Sequence, residues 1–95
     1  MKDKHRFAII TPKEINALGI VMTVPITNGG KFLRDMGITV PIIGNDTTGV
    51  AVCNQVRSFD IEARVKTGSA KYIEKLDTVT IDEIVNRVIS ILDPA

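Results

Sequence analysis

The stretch Val24 to Gly30, V-P-I-T-N-G-G, most limits what this chain can become. An apolar strand is cut by a proline and runs straight into a tight-turn sequence. Proline cannot donate to a sheet ladder, and Asn28-Gly29 suits a turn that needs positive φ. A strand ending this way presents the Thr27 hydroxyl at its tip, which makes Thr27 a first candidate for a functional side chain. Turn hydroxyls also satisfy nearby backbone, and taken alone the residues favour that structural role.

The rest of the chain is read as mostly β. Phe7 to Thr11 is a short apolar run stopped by Pro12, and Lys13 to Ala17 makes one helical turn before Gly19. Ile20 to Ile26 and Ile38 to Ile43 are strands, the latter marked as an edge or bulge by Pro41, with a polar connection from Lys31 to Gly37 between them. Gly44-Asn45-Asp46 reads as a turn, and Val50 to Val56 is the most strand-like segment. Tyr72 to Leu76 reads as a last strand. The period then changes: Thr80 with Glu83 forms a capping box, and Ile81, Ile84, Val85, Val88 and Leu92 fall on one stripe of a helix ending near Asp93-Pro94. About five short strands with one packed helix predict a small, strongly bent antiparallel sheet or partial barrel.

At 95 residues the chain supports a single domain spanning 1–95, with no repeat or linker to divide it. Its 12 basic and 11 acidic residues leave a net charge of +1, which excludes a polybasic surface but not a local basic face. One cysteine and one histidine cannot assemble a zinc site, so chemistry here is metal-free or draws its ligands from carboxylates. Cys53 reads as a small core residue, not a nucleophile. Gly29-Gly30-Lys31 lacks the spacing of a phosphate-binding loop, with Phe32 where its hydroxyl belongs. No apolar run is long enough for a membrane span, and the charged start Met1-Lys2-Asp3-Lys4 has no secretory segment, so a cytoplasmic protein is expected. His5 and Arg6 join Lys2 and Lys4 in a basic patch suited to a phosphate backbone. Arg57 and Arg64 flank Phe59 and Asp60, and an ion pair with Asp60 or Glu62 is expected for at least one of them.

Four blocks carry a resemblance: H-R-F-A-I-I-T-P from His5, V-P-I-T-N-G-G-K-F from Val24, T-G-V-A-V-C-N-Q-V-R-S-F-D from Thr48, and Ala63-Arg64. In this order and spacing they resemble the MazF/PemK/Kid/ChpB toxins of toxin–antitoxin pairs over nearly the whole chain. T-N-G-G-K-F and T-T-G-V at Thr47 to Val50 bring it nearest the PemK/Kid/ChpB branch. The resemblance implies an SH3-like barrel with a C-terminal helix, a homodimer, and sequence-selective cleavage of single-stranded mRNA held in check by a MazE/PemI-like antitoxin. It implies no cofactor, and contact with DNA only through the antitoxin. Family members carry a further N-terminal strand and a glycine-rich loop, of which this chain shows only Met1 to His5.

Carried over residue by residue, the family's arginine falls on Arg6, with Phe7 in place of the usual proline, and its threonine falls on Thr27. The resemblance makes these two the catalytic pair. The Kid branch relies instead on an arginine and an aspartate, and those positions hold Val52 and Asn54, which supply neither acid nor base. His5, Asn28, Lys31, Phe32, Arg34, Asn54 and Gln55 are expected RNA contacts. An inactive, shortened member that binds antitoxin or RNA without cleaving is the alternative. The gyrase-poisoning relatives of this fold end in a tryptophan-containing segment, and this chain has no tryptophan.

Overall fold

The computed structural model describes residues 5–28 and 37–92. Lys31, Phe32 and Arg34, the glycines at 29 and 30, the polar connection to residue 36 and the helix end expected near Asp93-Pro94 lie outside them. The strands are β1 (Arg6–Ile9), β2 (Ile20–Thr27), β3 (Thr39–Ile43), β4 (Thr48–Val52) and β5 (Arg57–Asp60); the helices are α1 (Lys13–Asn16), α2 (Ile61–Lys66) and α3 (Thr78–Leu92). They form one five-stranded antiparallel sheet in the order β1-β2-β4-β3, with β5 also on β2. The described strands do not close a ring, but β4 and β5 sharing one edge of β2 is compatible with the expected SH3-like barrel.

That eight-residue strand serves two partners along one edge. Its first half, Ile20 to Thr23, pairs with β5, and its last residues, Ile26 and Thr27, pair with β4. Val24 and Pro25 lie in the gap between these pairings, where proline's missing N–H interrupts no ladder on that side. β1 covers the other edge of β2, with Arg6 opposite Ile26 and Ala8 opposite Val24. β3 lies at the end of the order, where Pro41 is tolerated.

Three expectations change here. The run from Val50 to Val56 is not one strand: β4 stops at Val52, Cys53 and Asn54 turn, and a new strand starts at Arg57. Alternation of apolar residues cannot reveal this break, because the chain must jump the gap in β2 to pair with its first half. Tyr72 to Leu76 is not a strand but irregular chain, since the Glu74 side chain is tied to the β3–β4 turn and no neighbouring strand offers a ladder. The unforeseen α2 begins where Asp60 accepts from the Ala63 amide at 3.1 Å.

The core lies between the sheet and α3. Ala8, Val24, Val40, Ile42, Ala51 and Cys53 from the sheet meet Ile84 and Val88 from the helix. Of the helical stripe, Ile84 and Val88 are buried and Ile81 and Val85 are half-buried, whereas Leu92 is exposed. The helix starts earlier than the capping box predicts. Asp77, not Thr80, caps it, accepting from the Thr80 amide at 2.7 Å, because a carboxylate is the stronger acceptor for the orphan amides of a first turn.

The Thr80 hydroxyl and then its amide hold the Asp77 carboxyl below the usual carboxylate range. A depressed folded-state pKa means the cap stabilises above the ordinary carboxylate pKa and is lost as pH falls through the lowered value. Far-UV circular dichroism is therefore expected to show Asp77→Ala less helical than wild type at neutral pH, with the difference vanishing in acid. An equal difference at both pH values would remove Asp77 as the cap.

Candidate active site

Arg6 opens β1 directly opposite Ile26, and because side chains alternate along a strand, Arg6 shares one side of the sheet with Ile26 and Asn28. Its Nη1 donates to the Asp46 carbonyl and, at 2.7 Å, to the hydroxyl of buried Thr47. Both acceptors lie in the turn that joins β3 to β4, closed by the Gly44 amide donating to the Thr47 carbonyl at 2.7 Å. A guanidinium carries five N–H donors in a planar fork, so with Nη1 engaged the Nε and Nη2 donors have no protein acceptor among the described residues. Arg6 lines a cleft of about 270 Å³ together with Ile26, Asn28, Asp46 and Thr48. A fixed fork at a polar cleft is the arrangement that binds a phosphate or carboxylate in two places at once.

The turn is itself held from outside. Glu74 accepts from the Asn45 amide at 2.9 Å and from the Asp46 amide at 2.6 Å. These amides, the Asp46 one foremost, lower its pKa, with smaller contributions from the Thr47 hydroxyl and the Arg6 charge. Arg6 is therefore not merely a solvated member of a basic patch. One strand positions its backbone, and a turn some forty residues away positions its charge.

Thr27 closes β2 opposite Val50, one residue beyond the partner of Arg6. Alternation turns its side chain to the other side of the sheet, and it does not line the cleft. Asn28 and Arg6 are brought together in that cleft. His5 is exposed beside them, while Asn54 and Gln55 are exposed in the turn after β4, and Val52 is buried. Thr47, Thr48 and Glu74 escaped sequence reading as site residues. T-T-G-V had marked the first two as a family block, but nothing local marked Glu74.

The expected ion pair of Arg57 or Arg64 with Asp60 or Glu62 is absent among the described residues. Both guanidiniums stack on Phe59 instead, at 5.5 and 4.6 Å from its centroid, with Phe7 edge-on to the ring. Asp60 is occupied in capping α2, and Glu62 pairs with Lys66 one helical turn on. These two carboxylates line a larger groove, about 310 Å³, near Leu18 and Gly19, where their engagement leaves little for a ligand. Burial pushes the Cys53 thiol pKa up, only partly offset by Arg87, so it is a core side chain and no nucleophile. No group of three or more potential metal-ligating His, Cys, Asp or Glu side chains occurs among the described residues.

Residues 1–92 match the family of PemK-like, MazF-like toxins of type II toxin-antitoxin systems. The chain belongs to that family. It is 34% identical over 87 residues to the endoribonuclease PemK of Escherichia coli, covering 88% of this chain and 62% of that protein. It is 39% identical over 59 residues to the endoribonuclease toxin ChpB of Escherichia coli strain K12, covering 60% of this chain and 51% of ChpB. The toxin-family chain thus spans between half and two thirds of the length of these curated relatives. Its fold matches a chain of a MazE-MazF crystal structure from Deinococcus radiodurans, with a TM-score of 0.77 at 19% identity over 94% of this chain and 82% of that one. A structure of MazF from the same organism gives 0.73 at 19% identity, covering 90% and 74% of the two chains.

Proposed function

We propose that this chain is the toxin of a toxin–antitoxin pair, a metal-independent endoribonuclease that cleaves single-stranded mRNA. The observation that carries the reading is the Arg6 guanidinium, anchored through Nη1 with its remaining fork free at a polar cleft, in a chain whose curated relatives are named endoribonucleases.

The chemistry follows from what such a site offers. The ribose 2′-OH attacks the adjacent phosphorus, the bond to the 5′-oxygen of the next nucleotide breaks, and the proton lost by the 2′-OH is matched by one gained at that 5′-oxygen. The products are a 2′,3′-cyclic phosphate and a 5′-hydroxyl. Charge accumulates on the non-bridging oxygens along the way, and fixed guanidinium donors stabilise it without reorganising. Arg6 fills this role with its planar set of donors. Thr27 acts from the other side of the sheet by fixing the strand end that carries Asn28 into the cleft, and Asn28, with His5, Asn54 and Gln55 nearby or on the following turn, contacts flanking nucleotides. Lys31, Phe32 and Arg34 are proposed as further RNA contacts on sequence grounds.

Incubation of the purified chain with single-stranded RNA and a chelator is expected to give fragments ending in 2′,3′-cyclic phosphate, and DNA of the same sequence to stay intact for want of a 2′-OH. Binding of a MazE/PemI-like antitoxin with no RNA products would instead support the non-catalytic reading. Thr27→Ala is expected to slow cleavage about tenfold, less than loss of Arg6, because its hydroxyl lies on the side of the sheet away from the fork. A Thr27→Ala rate equal to wild type would remove it from the site. The functional unit is proposed to be a homodimer, acting in the cytoplasm. No helix among the described residues is long and apolar enough to cross a membrane.

A further inference from the structure

Glu74 sits in irregular chain between α2 and α3, and no step of the proposed reaction asks for a carboxylate there. Its two oxygens are nevertheless both committed to one turn: Oε1 accepts from the Asn45 amide and Oε2 from the Asp46 amide. That turn carries on its other side the Asp46 carbonyl and the Thr47 hydroxyl that hold Nη1 of Arg6. Gly44 fits the same arrangement. A Cβ there would lie 2.7 Å from Oε1 and 3.0 Å from Cδ of Glu74, so only a residue without a side chain leaves the carboxylate its place.

We propose that Glu74 is the positioning residue of the Arg6 site: by clamping the Asn45 and Asp46 amides it sets the turn that aims the free fork of Arg6 into the cleft. The inference rests on the reading of Arg6 as the phosphate-binding group. A carboxylate suits this task better than a direct partner for the arginine would. Among the described residues the one ion pair is Lys66 with Glu62, so Glu74 shapes the turn without neutralising the guanidinium in a close pair, and the charge stays available to a phosphate. Glutamine cannot take over. Its amide offers one acceptor oxygen and sets an NH2 against the second backbone N–H.

Cleavage of a single-stranded RNA oligonucleotide is compared for wild type, Glu74→Gln, Gly44→Ala, Arg6→Ala and the double variant Arg6→Ala/Glu74→Gln. Gly44→Ala displaces the flexible Glu74 end, not backbone, and Gly44 has no positive φ to strain, so this variant tests the clamp with the fold intact. Glu74→Gln and Gly44→Ala are each expected to lower kcat about tenfold with KM within about twofold, while thermal melting stays near that of wild type. The double variant is expected to cleave no more slowly than Arg6→Ala alone, since a residue acting through Arg6 has nothing left to act on. A wild-type kcat in both single variants, or an equal further loss in the Arg6→Ala background, overturns the proposal. Nuclear magnetic resonance supplies a readout that needs no cleavage. Glu74→Gln is expected to speed hydrogen exchange of the Asn45 and Asp46 amides and to shift the Arg6 Nε–H signal, and unchanged signals overturn the positioning role. A wild-type chain that cuts no RNA while its Glu74→Gln variant shows these changes removes the nuclease reading and leaves the clamp standing.

Discussion

Arg6→Ala is expected to slow RNA cleavage by about a hundredfold, the loss typical of removing a preorganised donor from the charge that develops in a transition state. The reason lies in how the side chain is held. Nη1 is fixed by the Asp46 carbonyl and the Thr47 hydroxyl, and the Arg6 side chain lines the cleft with Asn28 and Thr48. Such a group has already met its orientational cost when RNA arrives. Arg6→Lys should recover little, because an ammonium is a point charge that cannot hold the turn and two phosphate oxygens in one plane. The measurement is a single-turnover rate at saturating RNA with chelator present, alongside a melting curve. Arg6 is exposed, so a large rate loss with a nearly unchanged melt is the expected pair. Wild-type rates in Arg6→Ala would end the assignment of this cleft as the active site.

Gly49→Ala is expected to cost about 3 kcal/mol or more of folding stability, combining a strained backbone with a hard overlap. Gly49 has φ +140°, a region that side chains rarely adopt, and a Cβ there would stand 2.4 Å from the Thr27 carbonyl oxygen and 3.1 Å from its carbon. Backbone atoms cannot swing aside as the Glu74 carboxylate can. β4 would have to lift from β2 where Ile26 pairs with Ala51 and Thr27 with Val50. For a domain of this size the melting temperature should fall by more than about 10 °C. Thermal and urea unfolding followed by circular dichroism provide the test. A melting temperature within about two degrees of wild type would mean that the strands separate locally without consequence. The strand end at Thr27 thus depends on a glycine two strands along the chain, in the block T-T-G-V that also provides Thr47 and Thr48.

Much of the scaffold is legible locally because its causes are local. Apolar runs bounded by proline and glycine mark β1, β2 and β3, and the 3.6-residue stripe with Ile84 and Val88 marks the helix that covers the sheet. The break after Val52 was not legible. Val50 to Val56 alternates well enough for one strand, and it turns at Cys53 only because β2 has two separate half-edges to fill. Asp77 was overlooked as a cap because Thr80 and Glu83 offer the more familiar pattern, whereas the carboxylate three residues earlier reaches the amide of Thr80 itself. Arg57 and Arg64 lie within a few residues of Asp60 and Glu62, and that proximity suggested pairing. Capping and the helical pair with Lys66 took those carboxylates, leaving the Phe59 ring as partner.

The candidate site divides along the same line. Sequence by itself determined the family, through four ordered blocks, and it singled out Arg6, Thr27 and Asn28, because a residue's chemistry and its place at a strand end travel with the local sequence. Tertiary structure alone decided which of them meet. The register of β1 on β2 puts Arg6 on the side of Asn28 and turns Thr27 to the other, a distinction of one residue that no pattern in either strand states. It also recruited Thr47, 41 residues from Arg6, and Glu74, 28 residues from Asp46. Hydrogen bonds over such separations exist only once the sheet has brought both ends together, and a glutamate in irregular chain carries no local sign of the turn it holds.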